Sequence, residues 1–354
     1  MREPPNVPEE HLRAGLRAHF GLAEVALEFL PVGLDANAGV YRVRAARGGE
    51  FLLKVKRGPI YPASCLAPRY LVDQGVAAVV APLPTAQGDL WSAAGASSAW
   101  VLTLYPFIEG ATGWTPAMTD QQWQELGTTL NAVHRAPLPP HGIASLRAES
   151  FDVAGYAGQI AALHTRYTQP TAEQTGDLAE QTIIAHWMAR RPAFLAMLAA
   201  MEQFAAILRR RSAPRVICHA DLHPGNIIRA RDGRIHIIDW DDVMLAPKER
   251  DLIFVADPPA DGDTDDAPPF FQGYGPAAID WIALAYYRFE RVVTDVIASA
   301  EEVSIVPDLG QRDRIESAQR FDLLFAPGNG ADMAWAATAR LPPHLRVAFD
   351  MTPR

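Results

Sequence analysis

The chain has 354 residues, 49% of them hydrophobic, with a formal net charge of −9 and two cysteines. That length gives one or two domains with chain to spare for substantial cores, while the acidic balance excludes general nucleic-acid binding, which needs a basic footprint. No stretch approaches the roughly 20 apolar residues that span a bilayer; Met1-Arg-Glu-Pro-Pro-Asn-Val-Pro-Glu-Glu10 lacks a signal peptide's apolar run, and Cys65 and Cys218 suggest no disulfide framework, so a cytoplasmic protein away from membranes is expected.

In chain order, residues 8–20 read as an amphipathic helix. Strand-like stretches follow at Val25–Leu30, Gly39–Ala45 and Glu50–Val55, with turns at Ala46–Gly49 and Gly58–Pro59. Val79–Pro84 and Trp100–Tyr105 continue the strand character, which predicts a five-stranded sheet with one helix at about residues 63–74. From Thr119 onward Trp123, Leu126, Leu130 and Val133 recur at helical spacing. Residues 173–210 read as helix broken near Pro192, and 277–299 as a second long helix. The expectation is an α+β chain without internal repeats, a β-rich domain over 1–105 and a mainly helical one over 106–354, joined near Tyr105-Pro106.

The richest segment is His219-Ala-Asp-Leu-His-Pro-Gly-Asn226, followed after an apolar run by Asp239-Trp-Asp241. His, Asp at +2 and Asn at +7 is the spacing of a kinase catalytic loop, where the Asp takes a hydroxyl proton and the Asn and a later Asp hold magnesium. Ile227–Ala230 and Ile235–Ile238 flank Arg231-Asp-Gly-Arg234, an Asp-Gly turn signal. If Ala230 and Ile235 close that hairpin, Asn226 stands directly opposite Asp239, with Cα atoms roughly 4.5–5.5 Å apart. An amide oxygen and a carboxylate so placed suit a hard cation. Two plainer readings compete. His219, Asp221 and His223 could ligate zinc, but His11, His19, His134, His141, His164, His186, His236 and His344 form no second cluster in the sequence. Asp221 and Asn226 could merely cap a turn, which would leave the apolar run and Asp239 unexplained.

The segment Val216–Val255, with Asp239-Trp-Asp-Asp242 and Ala246-Pro-Lys-Glu-Arg-Asp-Leu252, resembles the aminoglycoside phosphotransferase family, closest to its spectinomycin-phosphotransferase-like branch. The resemblance implies a bilobal protein-kinase-like fold with a small β-sheet N-lobe and a larger, mainly helical C-lobe. It also implies ATP or GTP and Mg²⁺ as cofactors, and a small-molecule hydroxyl acceptor, which the negative charge suggests is cationic. Asp221 would be the proton acceptor, Asn226 and Asp239 the metal ligands, and His219 and Asp251 supports of the catalytic loop. Lys54, in Phe51-Leu-Leu-Lys-Val55, would reach the α- and β-phosphates, with Lys56 as runner-up and a snorkelling surface lysine as the plain alternative. Gly33 to Gly39 would cover the phosphates or be an ordinary hairpin loop, and Tyr105 or Phe107, with Leu104, would meet the adenine.

One departure stands out: no acidic residue lies between Phe51 and Val72 to hold the lysine from a helix. For the acceptor, Asp242 and Asp257 are the candidates, ahead of Asp261, Asp263, Asp265 and Asp266, which read as a solvated loop. Trp281 and Trp335 could stack on a sugar but fit core positions, and Cys218 reads as buried filler. Three functions remain in view: an antibiotic phosphotransferase, a metabolic small-alcohol kinase, and a nucleotide-binding regulator of kinase fold, as monomer or homodimer.

Overall fold

The computed structural model describes residues 4–33, 38–94, 99–113, 115–169, 176–255, 257, 267–306 and 309–346. Its elements begin with helix α1 (Glu9–Phe20), strands β1 (Val25–Leu30), β2 (Ala38–Ala45) and β3 (Glu50–Arg57), and helix α2 (Ala63–Asp73). Strands β4 (Ser92–Ala93), β5 (Trp100–Pro106) and β6 (Gly110–Ala111), helix α3 (Asp120–Arg135) and strand β7 (Arg147–Ala148) come next. Helices α4 (Ala154–Thr168) and α5 (Leu178–Leu208) precede strands β8 (Val216–Cys218), β9 (Ile227–Ala230), β10 (Ile235–Ile237) and β11 (Met244–Ala246). The chain closes with helices α6 (Pro269–Tyr274), α7 (Trp281–Ser304), α8 (Gln311–Leu323), α9 (Gly330–Ala337) and α10 (Pro343–Arg346). It is an α+β protein, an antiparallel sheet in the N-terminal region and helices in the C-terminal part. Two compact units form, residues 2–149 with 215–278 and residues 150–214 with 279–354; the Tyr105-Pro106 junction lies inside the first.

In the first unit an antiparallel sheet runs β1-β2-β3-β5-β4. Period-two alternation sends Leu53 and Val55 into a core with Tyr41, Val43, Leu102, Leu104 and, from α1, Leu12 and Leu16. Lys54 and Lys56 therefore share the other face of β3. Five strands were expected, but the fourth is Ser92–Ala93 and not Val79–Pro84. Val79 instead makes one parallel bridge to Ile237, with Ile237 N–H donating to Ala78 O (2.7 Å) and Val80 N–H to Ile237 O (2.9 Å). The apolar run belongs to the support of the β9–β10 hairpin, because its backbone groups find partners there and not in a long ladder.

Helix α3 starts at a capping box between Thr119 and Gln122 and lies against α6 at two glycines. A Cβ at Gly127 would stand 2.0 Å from Phe270 O, and one at Gly273 would stand 1.9 Å from Gln124 O. Both clashes are with backbone, so neither neighbour can swing aside. Gly127→Ala should destabilise the protein by about 2 kcal/mol or more, overriding the gain of roughly 1 kcal/mol that alanine brings to a helix interior. A chemical-denaturation midpoint at or above wild type would refute this.

In the second unit α5 packs on α7 and α8, with Phe204 and Phe289 stacked at 6.0 Å. The expected break at Pro192 does not occur. Proline removes one backbone bond, but Trp187 and Phe194 on either side are fully buried and meet at 4.8 Å, which holds the helix through it. By length and composition α5 could cross a membrane, with a mean hydropathy of 1.3 over its most apolar window, so the sequence reading that no stretch comes near that length is corrected. Trp335 packs edge-on against Phe289 at 4.8 Å, and Arg340 lies over Trp281 at 5.4 Å.

Candidate active site

The first unit brings the catalytic segment together around a buried carboxylate. Asp251, 1% exposed, accepts hydrogen bonds from His219 N–H (2.9 Å) and Ala220 N–H (2.7 Å), and meets His134 Nε2 at 3.1 Å. His134 comes from α3 and its Nδ1 meets Tyr274 Oη at 2.7 Å, so the glycine-mediated α3–α6 packing also positions the loop's anchor. Burial alone would raise the Asp251 pKa, but His134 and the Ala220 amide hold it below the usual value. Ala220 adopts φ 72°, a left-handed conformation that costs an alanine about 1 kcal/mol, and the Asp251 bond to its amide compensates. His219 Nε2 lies 2.8 Å from Ile238 O and Nδ1 accepts from Asp221 N–H at 3.3 Å, so the ring ties the loop to the end of the hairpin.

Asp221 follows the left-handed Ala220 with its side chain 27% exposed. Asn226, in the 3-10 turn Pro224–Asn226, donates its Nδ2 to Asp221 O (2.9 Å) and Oδ2 (3.2 Å). With the amide nitrogen so engaged, its oxygen is the atom that a cation would meet. The β9–β10 register differs by one residue from the expected one: Ile235 pairs with Arg229, and Ile238 N–H donates to Asn226 O at 3.0 Å. Ala230 N–H bonds Arg234 O (2.9 Å) around a loop whose Gly233 has φ 87°, a three-residue closure where the sequence suggested a longer one. Asn226 thus faces Ile238, and Asp239 lies one residue beyond. A one-residue slip reverses a strand's faces; here Asp239 leaves the ladder with φ 63°, a left-handed conformation Asp tolerates.

Asp239 meets Lys54, whose Nζ lies 2.7 Å from Asp239 Oδ1 and 2.9 Å from Asp241 Oδ1. The second Asp241 oxygen takes Lys56 Nζ at 2.8 Å. Burial would lower the Lys54 pKa, but Asp239 and then Asp241 raise it, so the ammonium stays charged. The carboxylate partners of Lys54 thus come from the Asp239–Asp241 turn, and Asp241 is the site residue that sequence reasoning passed over. Its signal was the alternation Asp239-Trp-Asp241 around a buried tryptophan, 3% exposed. Oxygen donors from Asn226 and Asp239 fit a hard divalent cation.

The other candidates fall at varied places. Tyr105 pairs with Leu52 across β3–β5 and shares the Lys54 face, its pKa pushed well up by burial and then by Cys65. Leu104 points into the sheet's core, on the face away from Lys54, which removes it from a nucleotide contact. Phe107 lies under Arg42 at 4.3 Å and donates its N–H to Glu50 O at 3.3 Å. Gly33 has φ 84°, and the space of a Gly39 Cβ is filled by Pro5 at 2.5 Å; Leu34–Asn37 lie outside the described residues. Asp242 is exposed, 3.9 Å from Arg147, in a setting where partial desolvation and then Asp221 raise its pKa. Asp257 is half-buried; Asp261, Asp263, Asp265 and Asp266 lie outside the described residues. Cys218 is buried, its thiol pushed well up by desolvation and then by Asp251, which makes it inert.

Among solved structures, spectinomycin phosphotransferase APH(9)-Ia in complex with ADP and spectinomycin is 26% identical, with a TM-score of 0.78 over 94% of this chain and 99% of that one. Its AMP-bound complex is also 26% identical, with a TM-score of 0.73 over 92% and 98%. An aminoglycoside phosphotransferase from Alicyclobacillus acidocaldarius, at 14% identity and TM-score 0.51 over 99% and 98%, shares the fold. No curated protein matches the chain. The profile of the phosphotransferase enzyme family matches residues 28–287, which take in the strand lysine, the catalytic loop and the Asp239–Asp241 turn; the chain belongs to that family and is a phosphotransferase.

Proposed function

We propose that the protein transfers the γ-phosphoryl group of ATP to a hydroxyl of a small cationic antibiotic, spectinomycin or an aminoglycoside. The observation that carries the reaction is Asp221, pinned by Asn226 on a loop tied to Asp251, in the same compact unit as Lys54 on the Asp239–Asp241 turn. The likeness to spectinomycin phosphotransferase over 94% of this chain supports the acceptor.

The acceptor hydroxyl gives its proton to a carboxylate oxygen of Asp221 as its oxygen attacks the γ-phosphorus, and the bond to the β-phosphate oxygen breaks. Lys54 neutralises charge on the departing diphosphate. Asn226 and Asp239 would hold Mg²⁺, which when bound neutralises the phosphate oxygens. Positioning and preorganised charge supply most of the acceleration.

One observation favours a second reading, a kinase for a small hydroxylated acid. Arg147 stacks over Tyr61 at 4.1 Å, and Tyr61 Oη donates to Val243 O (3.0 Å) while accepting from Arg147 N–H (2.9 Å). A guanidinium so braced beside Asp242 could receive a carboxylate. A diphosphate-release assay with Mg²⁺ and ATP across spectinomycin, aminoglycosides, amino alcohols and hydroxylated amino acids separates the two. We expect release with an aminocyclitol or aminoglycoside, abolished by chelating the divalent cation. Release with a hydroxylated acid, lost in Arg147→Ala, would install the second reading.

A further inference from the structure

A strand lysine in a kinase-type site is ordinarily held by a glutamate on the neighbouring helix. Here α2 carries one acidic residue, Asp73, at its last position, and that carboxylate pairs with Arg69 one turn back. Lys54 is held from the opposite direction in sequence, by two carboxylates of a single turn, at 2.7 Å from Asp239 and 2.9 Å from Asp241. The two partners are not equivalent. Asp239 is the carboxylate assigned to a divalent cation, so during the reaction its charge is shared. Asp241 carries no such demand, lies 70% covered, and spans both cations of the β3 face, with Lys56 at 2.8 Å.

We propose that Asp241 is the positioning residue that holds Lys54 against the nucleotide's phosphates, in place of a helix carboxylate, and that it sets Lys56 beside Lys54 as a second phosphate-facing cation. The proposal rests on the phosphotransferase reading of this site. It makes the grip on the nucleotide a property of the turn that also bears the metal carboxylate, independent of helix α2.

The test is equilibrium titration with ATP, with and without Mg²⁺, on the full chain. Asp241→Asn should bind ATP about tenfold more weakly than wild type, the size expected for losing a charge-assisted contact. That loss should persist without Mg²⁺, since the anchor acts on the lysines. Asp241→Glu should regain most of the affinity, and Asp73→Asn should bind as wild type. A loss in Asp241→Asn that vanishes without Mg²⁺ would make Asp241 a metal ligand and overturn the proposal. Wild-type affinity in Asp241→Asn, no recovery in Asp241→Glu, or an equal loss in Asp73→Asn would also overturn it. In each of these cases a wild-type protein that binds ATP leaves the functional reading standing; a wild-type protein that binds no nucleotide sinks both.

Discussion

Asp221→Asn is expected to lower kcat about 10²- to 10⁴-fold, the range that a positioned general base contributes, while nucleotide affinity stays within about twofold of wild type. The split follows from the contacts. Asn226 Nδ2 reaches Asp221 Oδ2 at 3.2 Å, a bond the oxygen of an asparagine can equally accept, so the loop keeps its shape. The lysine pair with Asp239 and Asp241 does not involve Asp221. What disappears is the negatively charged carboxylate that takes the acceptor's proton. Single-turnover transfer and ATP titration on the same preparation decide the matter; equal losses in both would show that Asp221 holds the fold of the loop and does not act in the reaction.

Asp251→Ala is expected to cost about 3 kcal/mol of stability, read as the denaturant midpoint of the wild type and variant. The substitution leaves the buried His219 amide and the part-buried Ala220 amide without their acceptor and removes the Nε2 partner of His134. Ala220 would then hold its left-handed φ of 72° without compensation, so activity should fall with stability. The same carboxylate gives a pH dependence. Its folded pKa lies below the ordinary value of 3.8, so the stability it contributes is present above that value and is lost as pH falls through the folded pKa. The acid limb of the wild-type stability curve should therefore be steeper than that of Asp251→Asn; parallel limbs would show that the carboxylate contributes nothing there.

Much of this was readable in advance. The strands Val25–Leu30 and Trp100–Tyr105, the second one residue longer in the structure, and the helix near residues 63–74 follow from apolar period and turn residues, which are local signals. Val79–Pro84 has the composition of a strand, yet its partners are Ile237 and Leu104, distant in sequence, and composition cannot choose between a ladder and a single bridge. Pro192 predicts a break because proline's local cost is visible in the sequence, whereas the aromatic packing that outweighs it is not. The hairpin register failed by one residue because the closure depends on whether Arg231-Asp-Gly233 or a longer loop turns the chain, a choice made by backbone conformation at Gly233.

The sequence by itself determined the reaction class, because His219, Asp221, Asn226 and Asp239 are chemical types at fixed spacing and their chemistry travels with them. Only the tertiary structure decided how they are held. The carboxylate that anchors Lys54 lies 185 residues or more away in sequence, and the carboxylate that anchors the catalytic loop depends on His134, 117 positions before it. Contacts of that range are set by packing, through the glycine-to-backbone fit of α3 on α6 and the left-handed turns at Ala220 and Asp239. No local pattern in the chain encodes which distant charge will fill such a place.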